Sequence, residues 1–284
     1  MNEAIVLKDV TKRYDTFLLD HISFTVPRGS IVGLIGENGA GKTTTLRLIL
    51  NRIRPDEGQI EVLGHKRADK TVREQIGVVL SEGGFYENFT APAVDKVMRG
   101  IYRNWDSARF EQYRRRFDLP EKKTLKQYSR GMKMKLYLAA ALSHRAELLI
   151  LDEATSGLDP MTRSDVSDMF LEFISDEKNS ILFSSHITSD LEKIADYIVF
   201  IHKGKLIFNE SKDVLLESYG ILKCSLDCFD RIDAADICGW RKNRFGCEVL
   251  IKDRAACRKK YGSCVIDSAS LEEIMTFIAR GPEA

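Results

Sequence analysis

The stretch Gly36-Glu37-Asn38-Gly39-Ala40-Gly41-Lys42-Thr43 places three glycines, a lysine and a hydroxyl within eight positions. The spacing G-x-x-x-x-G-K-[ST] suits phosphate chemistry when it follows a buried strand and opens a helix. Here it follows the apolar run IVGLI and precedes KTTTLRLILNRI. Glycines at 36, 39 and 41 let the loop turn so that its amides converge on phosphate oxygens, at the positive end of the helix. Lys42 is expected to neutralise the β- and γ-phosphates, and the Thr43 hydroxyl to ligate Mg²⁺. Asn38, Ala40 and Thr44 complete the expected nucleotide contacts. A plain flexible turn would account for neither the Lys-Thr pair nor the flanking elements.

Two carboxylates, Asp152 and Glu153, end the apolar run LLILDE. Open α/β sheets bind ligands at that carboxyl edge. Asp152 is therefore expected to hold Mg²⁺. Glu153, one residue on, should face the other way, towards an attacking water. His186 ends the run ILFSSH and should reach the same edge, where a neutral imidazole can hydrogen-bond the γ-phosphate or the water. A solvated acidic turn and a structural strand-end histidine are the plain alternatives. The phosphate loop on the same edge favours chemistry.

The elements that must position these groups read as strands at AIVLKDV, HISFTV, GSIVGLIG, QIEVLG, IGVVL, LLILD, SILFSS and YIVFI. Those around IVGLI, LLILD and ILFSS are apolar throughout, as parallel strands buried on both faces are. Helical patterns between them predict an α/β fold with a mainly parallel core sheet. From Phe89 to Arg145 strand signals vanish and cation-rich helical segments follow one another, predicting an inserted helical region at about 89–145. His202-Lys203-Gly204-Lys205 reads as a hairpin turn. The main domain is expected over 1–217. The tail, 218–284, should be a small α+β appendix of three short strands and a final helix, SLEEIMTFIAR, capped by Ser270.

Composition excludes several classes. A 284-residue chain with 44% hydrophobic and 30% charged residues has ample core for a soluble protein. A net charge of +1 supplies no global field towards nucleic acid or an anionic membrane. From Leu216 onward 11 basic residues balance 11 acidic ones, so the tail carries no nucleic-acid signature either. No apolar run reaches about 18 residues, and MNEAIVLKDV has no secretory h-region, so a cytoplasmic location is expected. All six cysteines fall in the last third: Cys224, Cys228, Cys238, Cys247, Cys257 and Cys264. A disulfide framework belongs to small secreted domains, and a zinc site finds no C-x-x-C and no histidine in this segment. Buried thiols packing as small hydrophobes are the favoured reading.

The phosphate loop, YSRGM, LLILDEATSGLDP and SSH occur in the order and at the separations of ABC-transporter ATPase subunits. The chain resembles that family densely over about residues 4–215. The resemblance implies a P-loop NTPase fold of ABC type, with an antiparallel β subdomain and an inserted α-helical subdomain, and it implies ATP and Mg²⁺ as ligands. It implies a head-to-tail pair, homo- or heterodimeric, in which each ATP lies between one phosphate loop and the partner's signature. Ser129 and Gly131, in YSRGM, match the residues that meet the partner's γ-phosphate. Asp159, in SGLDP, matches the centre of the loop through which the two sites communicate. Tyr14 matches the aromatic that stacks on adenine. The expected partner is an integral-membrane permease, which would hold the chain on the inner face of the cell membrane. YSRGMKMKL, FYENFT and SLEEIMTFIARG resemble exporters of antimicrobial or amphipathic peptides, or drug-resistance pumps.

Two positions depart from the family. Ser81 stands where a glutamine normally ligates the metal, and its hydroxyl is too short to span the gap without a bridging water. Glu82 is the alternative donor, although it adds negative charge beside phosphate. Arg130 replaces a glycine, and two readings remain open: a charge-assisted contact to phosphate, or an ion pair within its own chain. These departures motivate the alternative of a catalytically weak regulatory subunit. Retention of Glu153 and His186 argues for hydrolysis.

Overall fold

The computed structural model describes residues 3–66, 70–80, 83–244 and 246–281 of the chain. They form two compact units, Met1–Asn209 and Glu210–Ala284.

The first unit opens with strands β1 (Glu3–Arg13) and β2 (Leu18–Pro27), followed by β3 (Ile31–Ile35) and helix α1 (Lys42–Ile49). Strands β4 (Glu57–Val62) and β5 (His65–Lys66), a single helical turn α2 (Lys70–Arg73) and β6 (Ile76–Val79) come next. Three helices then run in succession: α3 (Ala91–Ile101), α4 (Ser107–Arg116) and α5 (Arg130–Leu142). The chain returns through β7 (Leu148–Asp152), α6 (Pro160–Ile174), β8 (Ser180–Ser185), α7 (Thr188–Ile194), β9 (Tyr197–His202) and β10 (Lys205–Ser211).

One ten-stranded sheet runs in the order β5-β4-β1-β2-β10-β9-β3-β8-β7-β6. Strands β9, β3, β8, β7 and β6 pair in parallel, and β2, β1, β4 and β5 pair antiparallel. The apolar runs explain the parallel half. Ile31, Val32, Leu34 and Ile35 of β3 are all buried, as is every residue of β7 and β8. Full burial of such a side chain contributes about 1.5–3 kcal/mol, so the strands that end at the phosphate loop and at Asp152 are firmly held.

Helices α3 to α5 carry their own core, built on Val94, Phe110, Leu125, Leu136, Ala139 and Ala140. Caps set their limits. Thr90 accepts a hydrogen bond from the Ala93 N–H, Asp106 from Arg109 and Ser129 from Met132. Strands β9 and β10 are joined by Lys203 and Gly204, both at positive φ (47° and 78°), as a two-residue hairpin turn requires. The Gly204 N–H donates to the Ala40 carbonyl at 3.0 Å, and the Gly204 carbonyl accepts from Asp20 at 2.8 Å. The hairpin tip therefore ties the phosphate loop to β2.

The second unit contains α8 (Lys212–Ser218), β11 (Tyr219–Cys224), α9 (Leu226–Phe229), β12 (Ile237–Asn243), β13 (Gly246–Lys252), α10 (Arg254–Lys260), β14 (Val265–Ser268) and α11 (Leu271–Arg280). Its strands form a sheet in the order β12-β13-β11-β14. Four strands replace the three expected; the shortest, Val265–Ser268, supplies only four residues, of which one is buried. Ser270 caps α11 as expected. Its hydroxyl accepts from the Glu273 N–H while the Glu273 carboxylate accepts from the Ser270 N–H, a reciprocal capping box.

Candidate functional site

The loop after β3 carries Gly36, Gly39 and Gly41, all at positive φ. Gly36 is required by its neighbour, since a Cβ there would sit 2.3 Å from the Ile201 carbonyl oxygen. Gly41 is the N-cap of α1 at φ 116°, so the loop delivers the helix N-terminus directly to the cleft. Lys42 is buried, and its ammonium donates to the carbonyls of Gly36 at 2.7 Å and Glu37 at 3.2 Å. The loop thus wraps around its own lysine.

Asp152 and Glu153 diverge at the end of β7. Asp152 is 2% exposed; its Oδ2 accepts from Thr43 Oγ1 at 3.3 Å and its Oδ1 from Ser184 Oγ at 2.6 Å. Glu153 adopts φ 54°, a left-handed conformation uncommon for this residue type. Its N–H points back to β8, donating to the Ser184 carbonyl at 3.0 Å and the Ser184 hydroxyl at 3.2 Å. That bend turns the Glu153 carboxylate towards Lys42 Nζ, 3.6 Å from Oε1, and His186 Nδ1, 2.5 Å from Oε2. A carboxylate only accepts, so Nδ1 carries the proton in this pair and Nε2 is the ring's remaining functional atom.

The loop and the two acids surround a cleft of about 610 Å³, lined by Asn38, Gly39, Lys42, Thr43, Thr44, Asp152 and Glu153 together with Tyr14 and Phe17; His186 joins it through its bond to Glu153. The volume is within the range of small-molecule sites. Tyr14 is 46% exposed and its ring centroid lies 6.5 Å from that of Phe17. The donor set also fits Mg²⁺. A buried carboxylate and a hydroxyl lie side by side at a loop suited to phosphate, and Mg²⁺ is usually held by one or two protein oxygens plus phosphates and water. Among the described residues no three His, Cys, Asp or Glu side chains converge on an ion by themselves.

The sequence-predicted residues therefore fall into two places. Tyr14, the loop from Gly36 to Thr44, Asp152, Glu153 and His186 come together. Ser129, Gly131 and Asp159 do not line this cleft. Ser129 caps α5, while Asp159 caps α6 by accepting from the Thr162 N–H at 3.0 Å. Hydrogen bonds from Thr162 hold the Asp159 carboxyl below the usual carboxylate range. The two caps adjoin, since a Cβ on Gly131 would meet Thr162 Cγ2 at 3.2 Å. Arg130 points to the same junction, with its guanidinium against Gly157. No ion pair of Arg130 occurs among the described residues. Ser81 and Glu82 lie outside the described residues.

Sequence reasoning missed Ser184, which touches both carboxylate residues, and Phe17, which flanks Tyr14. The run of two serines before His186 was the available signal for the first. Nothing in the pattern marked the second.

A parallel sheet with a phosphate loop after β3, paired acids at the same edge at the end of β7 and an inserted helical region define an ATP-binding cassette. A family model described as ABC transporter matches residues 19–156. The chain is 37% identical over 214 residues to the bacitracin transport ATP-binding protein BcrA of Bacillus licheniformis, covering 73% of this chain and 69% of that protein. It is 33% identical over 227 residues to the ABC transporter ATP-binding protein NatA of Bacillus subtilis, covering 75% and 92%. With the daunorubicin resistance ATP-binding protein DrrA3 of Streptomyces coeruleorubidus it shares 34% over 225 residues, covering 76% and 71%. A solved ATP-binding subunit of an ABC transporter superimposes with a TM-score of 0.67 at 28% identity, covering 75% of this chain and 91% of that one. The chain belongs to the ATP-binding subunits of ABC transporters. Among the described residues no helix is long and apolar enough to cross a membrane.

Proposed function

We propose that the chain hydrolyses ATP with Mg²⁺ and thereby powers export through a separate membrane permease. The observation that supports this reading best is the position of Glu153, whose carboxylate is held between Lys42 and His186 at the mouth of the phosphate cleft. Lys42 and the N-terminus of α1 stabilise the charge that develops on the transferred phosphoryl oxygens. Thr43 and Asp152 would hold Mg²⁺, which neutralises phosphate charge and orients the triphosphate. Glu153 orients and deprotonates the attacking water, with His186 fixing the carboxylate through Nδ1 and presenting Nε2 to the water or γ-phosphate. Tyr14 and Phe17 offer π-faces for the base.

In this reading two chains, identical or related, pair head to tail. Ser129 and Gly131 at the α5 N-terminus then complete the partner's site, and the Asp159 loop lies between the two sites. The permease would dock in a groove of about 370 Å³ between the end of β6 and the helical region, lined by Val78, Leu80, Phe85, Ile101, Tyr102 and Tyr137. Exposed Ile101 lends it an apolar rim. The names of the bacitracin and daunorubicin relatives support a peptide antibiotic or drug as cargo. Such attachment would place the chain peripherally on the inner membrane face.

Mg²⁺-dependent ATPase activity of the purified protein tests this reading, alone and with its permease. Glu153→Gln should lower turnover at least about 100-fold while ATP binding persists, the range expected for loss of general-base assistance. Undiminished turnover in that variant would remove Glu153 from its role. Silence of the native protein under both conditions would favour the regulatory alternative.

A further inference from the structure

All six cysteines of the second unit are free thiols. Cys224, the last residue of β11, stands directly opposite Cys247 of β13 in the antiparallel ladder. On its other side the ladder pairs Lys223 with Val265, so Cys264, the residue before β14, adjoins Cys224 there. Alternate residues of a strand share a face. Cys224 therefore lies with Leu222, Cys247 with Val249 and Cys264 with Ile266, and all six belong to one apolar cluster. Three thiols thus form a row across three neighbouring strands. Helix α9 adds Cys228 nearby. Burial pushes the Cys224 thiol up to about 11, and Cys247, Cys264 and Cys228 add to the shift.

Among the described residues these side chains do not form a metal-holding group. Covalent chemistry between two of them is a different matter. Directly opposed residues of an antiparallel pair have Cα atoms about 4.5 or 5.5 Å apart. A disulfide accepts Cα separations of about 4.4–6.8 Å, so the Cys224 and Cys247 positions can be bridged without a change of register. Exposure assigns the order of events, because Cys224 is partly exposed whereas Cys247 is 2% exposed.

We propose that Cys224 and Cys247 form a dithiol modification site that reacts with low-molecular-weight disulfides and closes into a cross-strand disulfide. Because the Cys224 thiol is pushed up to about 11, only a small fraction is thiolate near neutral pH. That fraction, its proton released to solvent, attacks one sulfur of the small disulfide, so the step quickens as pH rises. That S–S bond breaks, and the first small thiolate leaves and takes up a proton. Cys247 then loses its proton and attacks the Cys224 sulfur of the mixed disulfide, expelling the second small thiolate. Two protein S–H bonds are lost and one S–S bond is gained. The protein thiols are oxidised and the small disulfide is reduced to two thiols.

The test equilibrates the full chain with reduced and oxidised glutathione over a range of ratios and quenches exchange with acid. Remaining thiols are alkylated with N-ethylmaleimide in denaturant, so that buried Cys247 and Cys257 also react, and peptides are mapped by mass spectrometry without reductant. At oxidising ratios the number of alkylated thiols should fall from the six of the native chain by two. One cross-linked peptide pair should then join Cys224 to Cys247. Cys247→Ala, which keeps the site apolar, should stop at one glutathione on Cys224, and Cys228→Ala should cross-link as the native chain does. Retention of all six thiols at every ratio would overturn the proposal and leave the cysteines as packing groups. A bridge from Cys224 to Cys264 or Cys228, or a cross-link that survives Cys247→Ala, would overturn it equally.

Discussion

The guanidinium of Arg130 fills the space above Gly157: a Cβ built on that glycine would lie 2.6 Å from Nη1 and 2.8 Å from Cζ. Gly157 is also at φ 68°, so a side chain meets both an occupied space and an unfavourable backbone. Gly157→Ala should destabilise the first unit by about 1–2 kcal/mol, mostly the left-handed backbone cost with a smaller part for displacing the flexible end of Arg130, measured by urea denaturation. In an Arg130→Ala background the same substitution should cost only the backbone part, about 1 kcal/mol. Strictly additive effects of the two changes would mean that the arginine is absent from that space or leaves it at no cost.

Ser184 donates its hydroxyl proton to buried Asp152 at 2.6 Å, next to Thr43. Ser184→Ala leaves one carboxylate oxygen without this donor, a loss of about 1.5–3 kcal/mol for a bond to a charged group. The Mg²⁺ dependence of ATP binding should shift as well, because the orientation of Asp152 is no longer held from behind. Titration of nucleotide binding against Mg²⁺ checks this. An unchanged curve would show that the other contacts of Asp152 orient the carboxylate without Ser184.

His144 is buried, stacks on Tyr102 with centroids 4.0 Å apart, and bonds through Nδ1 to the Glu74 carbonyl at 3.1 Å. Burial lowers its pKa below the ordinary 6.5. The unfolded chain therefore binds the proton first on acidification, so this residue's contribution is intact above pH 6.5 and declines below it. The slope cannot exceed about 1.4 kcal/mol per pH unit for one proton. His144→Phe should flatten the fall in urea midpoint between pH 7 and 5. An identical fall in both proteins would assign the acid sensitivity to other groups.

Ile101 is 60% exposed at the rim of the groove proposed for the permease. Ile101→Glu should reduce co-purification of the permease at least about tenfold, since about 1.4 kcal/mol suffices for that factor. ATPase activity of the isolated chain should be unaltered. Undisturbed co-purification would move the docking face elsewhere.

Much of this architecture could be read in advance because its signals are local. Fully apolar runs announced β3, β7 and β8, and the Gly-Lys-Thr spacing announced the loop that β3 delivers to α1. Ser270 announced the α11 cap; the reciprocal bond to Glu273 emerged with the structure. What escaped depends on distant partners. Ser184 matters because parallel pairing of β7 with β8 sets it opposite Asp152. The row Cys247, Cys224, Cys264 exists only once β13, β11 and β14 have found their register. Helices α9 and α10 escaped for another reason: one is a single turn, and the other buries only Cys257.

The tie between Gly204 and Ala40 bears on how a nucleotide is captured. Glycine loops ordinarily lose conformational freedom when they close over phosphate, and that loss weakens binding. Here the hairpin tip anchors the loop from behind and Lys42 is already seated at its centre. The ordering has been completed during folding, so an arriving triphosphate meets a cradle that stands ready rather than one it must organise.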